Sequence, residues 1–441
     1  MIDTALKKFY KLVGWVLLLS LLLGGCDNLP FNLPWMIEEV PSPTMTEEII
    51  GEVILTPEAT ITEDSVEGPI TQLTIWVPPD MDPDLETEAS QFFTRQLSLF
   101  SENHNGLEIN IRVKAESGAS GLLDSLTATS IAAPNALPDL IALSRPDLET
   151  AALKNLIYPL DELTDIPDDP DWYPFAREMA FLQGSTFGLP FAADVLVQVY
   201  RPSEDSQYTG SLTALLEGET VLSFPAGSDL SLFILTLYQS QGGLIQDSQR
   251  RPILESEPLE NVFQFIRDGI QAGILQQSLA DLKSDDQVWE AFREGENDLS
   301  VTWVTNYLQE GPADTILMPL VMPNGNRDSI GRGWSWAVST PDERRQALAV
   351  ELAEFLVEAD FLASWSDAAG FIPTRPSALE GWRDQNLRAT ISQIALTAYL
   401  LPSNDILASI GPILRDGTLQ VLQDQADPEQ AALEAVESLE E

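Results

Sequence analysis

The sequence predicts an α/β protein in which strands alternate with helices. Apolar side chains alternate at Leu73, Ile75 and Val77, which is the period of a strand. They then recur at helical spacing over residues 92–100 and alternate again over residues 107–113. Strands and helices in this order are typical of a sheet flanked by helices.

The same alternation continues through the rest of the chain. Residues 139–143 predict a buried strand, and a helix is expected to follow, with Ser144 or Arg145 near the N-cap and Pro146 near its first position. Further strands are predicted around 195–199, 222–224, 298–305 and 316–321, and further helices around 262–272 (ended by Gly273), 347–356 and 428–441.

Length and charge exclude several classes of protein. The chain has 441 residues, which is too long for one ordinary core, and its 44% apolar content excludes general disorder. With 69 acidic and 23 basic side chains, its net charge is −46, so nucleic acid is not expected as a partner. One Cys and one His argue against disulfide frameworks, metal centres and His-dependent triads, and we expect no cofactor and no metal.

The first 25 residues have the pattern of an export signal. Three Lys between 7 and 11 precede an apolar run over 12–23, which is short for a membrane span. The run ends in Leu23-Gly24-Gly25-Cys26, which resembles a bacterial lipobox. That resemblance implies cleavage before Cys26 and lipidation of its thiol. The alternatives are a plain signal peptide or a short anchor helix with an incidental Cys.

Residues 26–70 predict an extended tether. From 27 to 70 there are ten acidic residues, six Pro and no Lys or Arg. Such a segment buries too little apolar surface to offset its ordering entropy, and like charges keep it extended. We therefore expect a folded body that begins near residue 71 and is held away from a membrane.

The folded body resembles the family 1 extracellular solute-binding lipoproteins, the sugar-type, maltose-binding-protein-like receptors of bacterial ABC importers. No single stretch is diagnostic, but the order and spacing of five stretches behind a lipobox carry the resemblance. They are Leu73-Thr74-Ile75-Trp76, 138–141 with 156–163, 187–194 with Tyr200, 289–295 with 301–303, and 333–339 with 370–375.

This resemblance implies a two-lobed periplasmic-binding-protein-like fold of type II, with a mixed sheet and flanking helices in each lobe. Lobe 1 would comprise 71–191 plus 337–380, and lobe 2 would comprise 192–336 plus 381–441. Crossing segments near 192–195, 333–337 and 380 would act as hinges, and a solute held between the lobes would favour their closure.

The resemblance also implies where a solute would bind. Sugars present apolar ring faces and hydroxyl edges, so their sites need aromatic rings and planar polar side chains. The candidate ligand-binding residues, at strand ends and hinges, are Trp76, Arg145, Asp194, Trp303, Trp334, Trp336 and Arg375. We expect only one of Trp334 and Trp336 to face the solute.

Each candidate also has a structural alternative. A Trp in an alternating strand is commonly a core residue. Asp194, between apolar neighbours, needs a partner, and its structural alternative is an ion pair with Arg145 or Arg201. The alternative for Arg145 is to cap a helix or to pair at the surface. Acidic pairs such as Asp285-Asp286 are interpreted as loop charges.

Three functions are compatible with these patterns. The leading hypothesis is a monomeric, lipid-anchored receptor on the extracytoplasmic face of the cell membrane, which binds a mono- or oligosaccharide and delivers it to the permease of an ABC importer. The second is a surface interaction or sensory protein on the same fold, without ligand-induced closure. The third is a glycan-acting enzyme, which would need two carboxylates across a cleft.

Overall fold

The computed structural model describes residues 68–203, 208 and 210–440. The predicted signal peptide, Cys26 and the predicted tether up to residue 67 therefore lie outside the described residues. Among the residues that are described, no helix is both long enough and apolar enough to cross a membrane.

The strands confirm the predicted α/β class. They are β1 (Gln72–Val77), β2 (Glu108–Val113), β3 (Leu140–Ser144), β4 (Phe181–Leu182), β5 (Ser185–Thr186), β6 (Leu189–Tyr200), β7 (Leu222–Ser223), β8 (Leu299–Trp303), β9 (Ile316–Pro319), β10 (Ser329–Val338) and β11 (Ala398–Leu400).

Helices connect most of these strands. They are α1 (Glu88–Asn103), α2 (Leu122–Ala132), α3 (Arg145–Leu153), α4 (Pro174–Met179), α5 (Leu212–Leu215), α6 (Leu232–Ser240), α7 (Ser256–Ala272), α8 (Asp285–Arg293), α9 (Val304–Glu310), α10 (Glu343–Phe355), α11 (Ala359–Ala369), α12 (Pro376–Leu379), α13 (Gln385–Thr397), α14 (Asn404–Leu422) and α15 (Pro428–Glu440).

Two local predictions from side-chain chemistry are confirmed. Ser144 caps α3 and accepts a hydrogen bond from the backbone N–H of Asp147, while Pro146 lies in the first turn. Gly273 ends α7 with a φ of 77°, a left-handed conformation that glycine adopts at little cost. In both cases the short-range sequence is enough to place a helix end.

One mixed sheet runs through the described body. Its strand order is β2-β1-β3-β10-β6-β8-β7, with β11 also paired to β10 and β9 to β6. β1 is parallel to β2 and β3, and β7 is parallel to β8, whereas β10 is antiparallel to β3 and β6. We call β2, β1 and β3 the first half-sheet, and β8, β7 and β9 the second half-sheet.

β6 and β10 join the two half-sheets. Residues 189–195 of β6 pair with β10, and residues 196–200 pair with β8. β10 in turn pairs through residues 334–338 with β3. All twelve residues of β6 are buried. A continuous pair of long strands is therefore the structural link between the half-sheets.

The apolar core divides in the same way. Two hydrophobic clusters surround the first half-sheet, with members such as Phe93, Leu126 and Trp336. A larger cluster packs α6, α7, α14 and α15 against the second half-sheet, with members such as Phe263 and Leu414. A fourth cluster lies along β6 between them. The exact lobe boundaries given above stay a prediction.

Close packing at the β6–β10 junction depends on glycine. A Cβ at Gly333 would lie 2.1 Å from the carbonyl oxygen of Ala192 and 2.8 Å from Sδ of Met179 in α4. Because the carbonyl oxygen belongs to the backbone of β6, it cannot move without disturbing the strand pair. Only glycine allows this approach of β6, β10 and α4.

We predict that Gly333→Ala lowers the free energy of unfolding by about 1–3 kcal/mol, because overpacking displaces the junction. Gly68→Ala is the matched control, since a Cβ there meets nothing within 4 Å. Urea denaturation of both variants tests the prediction, and equal stabilities would contradict it.

Candidate functional site

A buried carboxylate lies at the β6–β10 junction. Asp194 of β6 is 3% exposed and stands opposite Arg332 of β10 in the strand register. Its Oδ2 accepts from Arg332 Nη2 at 3.3 Å and Nε at 3.4 Å. Thr305, in the first turn of α9, donates its backbone N–H at 3.1 Å and its hydroxyl at 2.9 Å. The partner of Asp194 is thus Arg332, and neither Arg145 nor Arg201.

The guanidinium of Arg332 also stacks on an indole. Arg332 Cζ lies 3.7 Å from the ring centroid of Trp303, which is the last residue of β8. The indole Nε1 donates to Asp285 Oδ2 at 2.9 Å, which holds the ring in place. A cation over a Trp face is attracted by the ring quadrupole. The junction therefore brings together two of the predicted residues, Asp194 and Trp303, through Arg332.

Carboxylates from several parts of the fold lie within electrostatic range of Arg332. Burial raises the pKa of Asp194 and of Asp285 above their ordinary values, and Arg332 acts against both shifts. Burial also raises the pKa of Glu116, which follows β2; Asp80 and Asp286 reinforce the shift and Arg332 opposes it. Glu116 thus lies within electrostatic range of groups on β10 and α8. We call Asp194, Arg332, Trp303, Asp285, Asp286 and Glu116 the hinge cluster.

The hinge cluster keeps groups available for a solute. The side chain of Arg332 is 43% exposed, so its buried contacts leave part of the guanidinium open to solvent. Trp334, two residues further along β10, is half-buried and packs at the edge of both clusters of the first half-sheet. Charged planar groups beside an accessible indole suit a solute that combines hydroxyl edges with apolar faces.

Arg145 lies elsewhere, at the start of α3. It is 7% exposed, and its Nη1 is 3.2 Å from Glu149 Oε2. Burial lowers the pKa of the Arg145 guanidinium, and Glu149 opposes this shift. Both side chains line a cavity of about 1250 Å³, which Asn404 and Gln239 line from the second half of the structure.

The remaining predicted residues lie in packed surroundings. Trp76 is 2% exposed, with Lys114 Nζ 4.9 Å from its ring centroid. Trp336 is 1% exposed and stacks on Phe191 and Phe93 at centroid distances of 4.6 and 6.3 Å. Of the two Trp on β10, Trp334 is therefore the more accessible. The assignment of Trp76 and Trp336 to a ligand stays a prediction.

Arg375 is held by acids and an aromatic ring. It is 7% exposed, lies 3.0 Å from Asp169 and 3.5 Å from Asp171, and has its Cζ 4.2 Å from the ring centroid of Trp172. These contacts tie the segment before α12 to the loop before α4. Its role toward a ligand also stays a prediction.

Sequence reasoning missed Arg332, Glu116 and the acidic pair at α8. Asp285 and Asp286 are the first residues of α8, capped by Ser284, so their interpretation as loop charges is wrong. Arg332 carried one usable signal: it alternates with Trp334 and Trp336, which places the three on one face of a strand. Glu116 carried none, because its position depends on long-range folding.

Comparison with known proteins identifies the family. Residues 98–389 match the family described as bacterial extracellular solute-binding protein, which is more than half of the chain. The chain belongs to this family. Its members are extracytoplasmic binding proteins, so the chain is a solute-binding protein and the enzyme hypothesis is set aside. Comparison with curated proteins by sequence found no match.

Solved structures confirm the fold of this solute-binding protein. A cyclo/maltodextrin-binding protein complexed with maltotetraose is 18% identical, with a TM-score of 0.68 over 85% of this chain and 98% of that one. The sugar-binding protein MalE from Xanthomonas citri is 18% identical, with a TM-score of 0.68 over 84% of this chain and 98% of that one. An extracellular solute-binding protein from Staphylococcus aureus in complex with maltose is 15% identical, with a TM-score of 0.67 over 85% of this chain and 98% of that one. The two-lobed type II architecture is thus confirmed.

We predict that Arg332→Met makes folding stability strongly dependent on pH. Arg332 lowers the pKa of Asp194, Asp285 and Glu116, so its loss raises all three in the folded state. The folded protein then holds more protons than the unfolded chain, and stability falls as pH rises through the raised pKa values. We expect the free energy of unfolding to fall by about 2 kcal/mol at pH 8 and to change little near pH 4, where the carboxyls are protonated.

Chemical denaturation at several pH values measures this effect. Arg332→Lys keeps the charge and is the matched control. For this variant we expect the difference in the free energy of unfolding from the parent protein to change much less with pH. A loss from Arg332→Met that is the same at pH 4 and pH 8 would show that packing on Trp303, and not charge, is what Arg332 contributes.

Proposed function

We propose that this protein is a membrane-tethered receptor that binds a saccharide between two lobes and delivers it to an ABC importer. The observation that carries the proposal is the hinge cluster. It joins the half-exposed Arg332 on the joining strand to the buried Asp194 and to the ring of Trp303, with Glu116 after β2 and Asp286 at the start of α8 within electrostatic range. A solute at this point would contact both lobes at once and would stabilise their closed arrangement.

The chemistry of the cluster favours a neutral, hydroxyl-rich solute. Carboxylates accept from hydroxyl groups, the guanidinium donates to them, and the indole of Trp334 offers an apolar face. The net charge of −46 disfavours anionic solutes at long range. Structural neighbours are described in complex with maltotetraose and maltose, which supports a saccharide here as well.

We further propose that lipidation of Cys26 anchors the receptor to the membrane. The lipobox-like Leu23-Gly24-Gly25-Cys26 and the acidic, proline-rich segment that follows support this anchor and its tether. Cooperation with a permease is the role that a tethered solute receptor would serve. Its main rival is a surface interaction or sensory protein on the same fold, in which no solute closes the lobes.

We expect a saccharide to bind with a saturable change in tryptophan fluorescence and in thermal stability. At 100 times its dissociation constant, the ligand adds about 2.7 kcal/mol to the free energy of unfolding. The panel contains mono- and oligosaccharides, polyols, amino acids and polyamines, tested on the full-length protein. Glu116→Gln and Asp286→Asn each weaken binding about tenfold, because they lose a charged acceptor.

Glu102→Gln is the control for these variants, because Glu102 is exposed on α1 and lies outside the hinge cluster. A saturable response to a polyamine alone would replace the saccharide with a cationic solute. No response to any member of the panel would favour the interaction or sensory protein.

We predict that Cys26→Ala releases the protein from the membrane fraction, because the only thiol in the chain is lost. Cell fractionation measures the release, and mass spectrometry of the N-terminal peptide detects the acyl chains in the parent protein. Retention of Cys26→Ala in the membrane would favour an anchor helix over lipidation.

A further inference from the structure

A second cavity lies within one continuous segment of the chain. Its volume is about 490 Å³, inside the usual range of about 300–1000 Å³ for small-molecule sites. Every side chain that lines it comes from residues 161–186, which include α4 and the β4–β5 hairpin. The cavity is therefore formed without any residue of the hinge cluster and without the second half-sheet.

Rigid apolar groups form part of its wall. Three prolines line the cavity, and each has a fixed φ: Pro167, Pro170 and Pro174. The indole of Trp172 lines it as well, and its Nε1 donates to the carbonyl of Ile166 at 3.0 Å. The guanidinium of Arg375 lies against the same indole, with Cζ 4.2 Å from the ring centroid. This part of the wall is thus ordered before any ligand binds, which favours affinity.

One aromatic ring of the cavity is open to solvent. Phe181 of β4 is 52% exposed, and among the described residues it is the only aromatic side chain in the set of exposed large apolar ones. The hairpin that carries it is closed by the N–H of Phe187, which donates to the carbonyl of Ala180 at 2.8 Å. A ligand that covers this ring removes apolar surface from water.

Four carboxylates also line the cavity, and arginines compensate two of them. Asp168 Oδ1 accepts from Arg177 Nη2 at 2.9 Å, and Asp169 Oδ2 accepts from Arg375 Nη1 at 3.0 Å. The charge that the cavity favours in a ligand therefore depends on the other two carboxylates.

Asp161 and Glu178 are these two carboxylates, and neither forms a salt bridge with another described residue. Asp161 Oδ1 accepts from the backbone N–H of Thr186 at 3.1 Å, which fixes this carboxylate on the hairpin. Glu178 is exposed on α4. Carboxylates and the face of an aromatic ring, such as Phe181, both attract positive charge. The net charge of −46 adds to this preference at long range.

We propose that this cavity is a second ligand site, separate from the hinge cluster, which binds a small organic cation with an apolar body. The cationic group is held by Asp161 and Glu178, and the apolar body covers the ring of Phe181 and packs on Pro174. This inference does not depend on a saccharide as the solute of the hinge cluster.

Titration of the full-length protein with benzylamine tests the site, with binding followed by ligand-observed NMR. Benzylamine carries an ammonium group on a phenyl ring, and benzyl alcohol is its neutral analogue of nearly the same size. We expect saturable binding of benzylamine with a dissociation constant of about a millimolar, as suits so small a ligand. Benzyl alcohol should bind about fivefold more weakly, and added salt should weaken only benzylamine.

Two variants remove the groups that the proposal assigns to the ligand. Glu178→Gln and Phe181→Ala should each weaken benzylamine binding about three- to fivefold. Both side chains are exposed, so thermal unfolding of the free protein should change little. Glu162→Gln is the matched control, because Glu162 is exposed beside Asp161 but does not line the cavity. Asp286→Asn, at the hinge cluster, should leave benzylamine binding unchanged.

The other outcomes overturn the proposal. Equal affinity for benzylamine and benzyl alcohol would remove the preference for a cation. A loss of affinity as large in Glu162→Gln as in Glu178→Gln would reduce the effect to long-range attraction. Weakening by Asp286→Asn alone would move the cation to the hinge cluster, and the absence of saturable binding would leave no site. None of these results bears on saccharide binding, which is measured separately with the sugar panel.

Discussion

The pairing of β6 with β10 is the constraint on which the rest of this structure depends. These strands are the route by which the sheet passes from one half to the other, and each half packs its own helices. Their junction holds a buried carboxylate, which is tolerated only because Arg332 and Thr305 supply donors. The joining strands and the polar site are therefore one feature, because Arg332, which compensates the burial of Asp194, also reaches the solvent.

This arrangement explains why the junction is tightly packed on one face and polar on the other. Alternation along β10 directs Arg332 and Trp334 to one face, while the intervening Gly333 allows Met179 to approach from the other. A larger residue at position 333 would push α4 away and displace the neighbouring Arg332, which pairs with Asp194 in the strand register. Close packing thus supports the geometry of the hinge cluster without contacting a solute itself.

Sequence reasoning found the features that local chemistry fixes. The period of Leu73, Ile75 and Val77 locates β1, and Ser144 with Pro146 locates the start of α3. The pairing of Arg332 with Asp194 cannot be predicted in this way, because 138 residues separate them and only the strand register joins them. The burial of Trp336 cannot be predicted either. A strand pattern does not distinguish a core Trp from an accessible one, and only the folded structure shows that Trp336 stacks on Phe191 while Trp334 is more accessible.

The two polar regions differ in what a ligand can gain from them. Asp194 already accepts from Thr305 and Arg332, so a solute adds little there, and affinity at the hinge cluster must come from groups with open surface, such as the half-exposed Arg332. Arg145 and Gln239 instead each keep a buried atom that has no hydrogen-bond partner among the described residues. The buried part of the hinge cluster therefore serves chiefly to hold β6 and β10 together, because its carboxylate is already satisfied by groups on β10 and α9. The exposed part of Arg332 is what remains open to a solute.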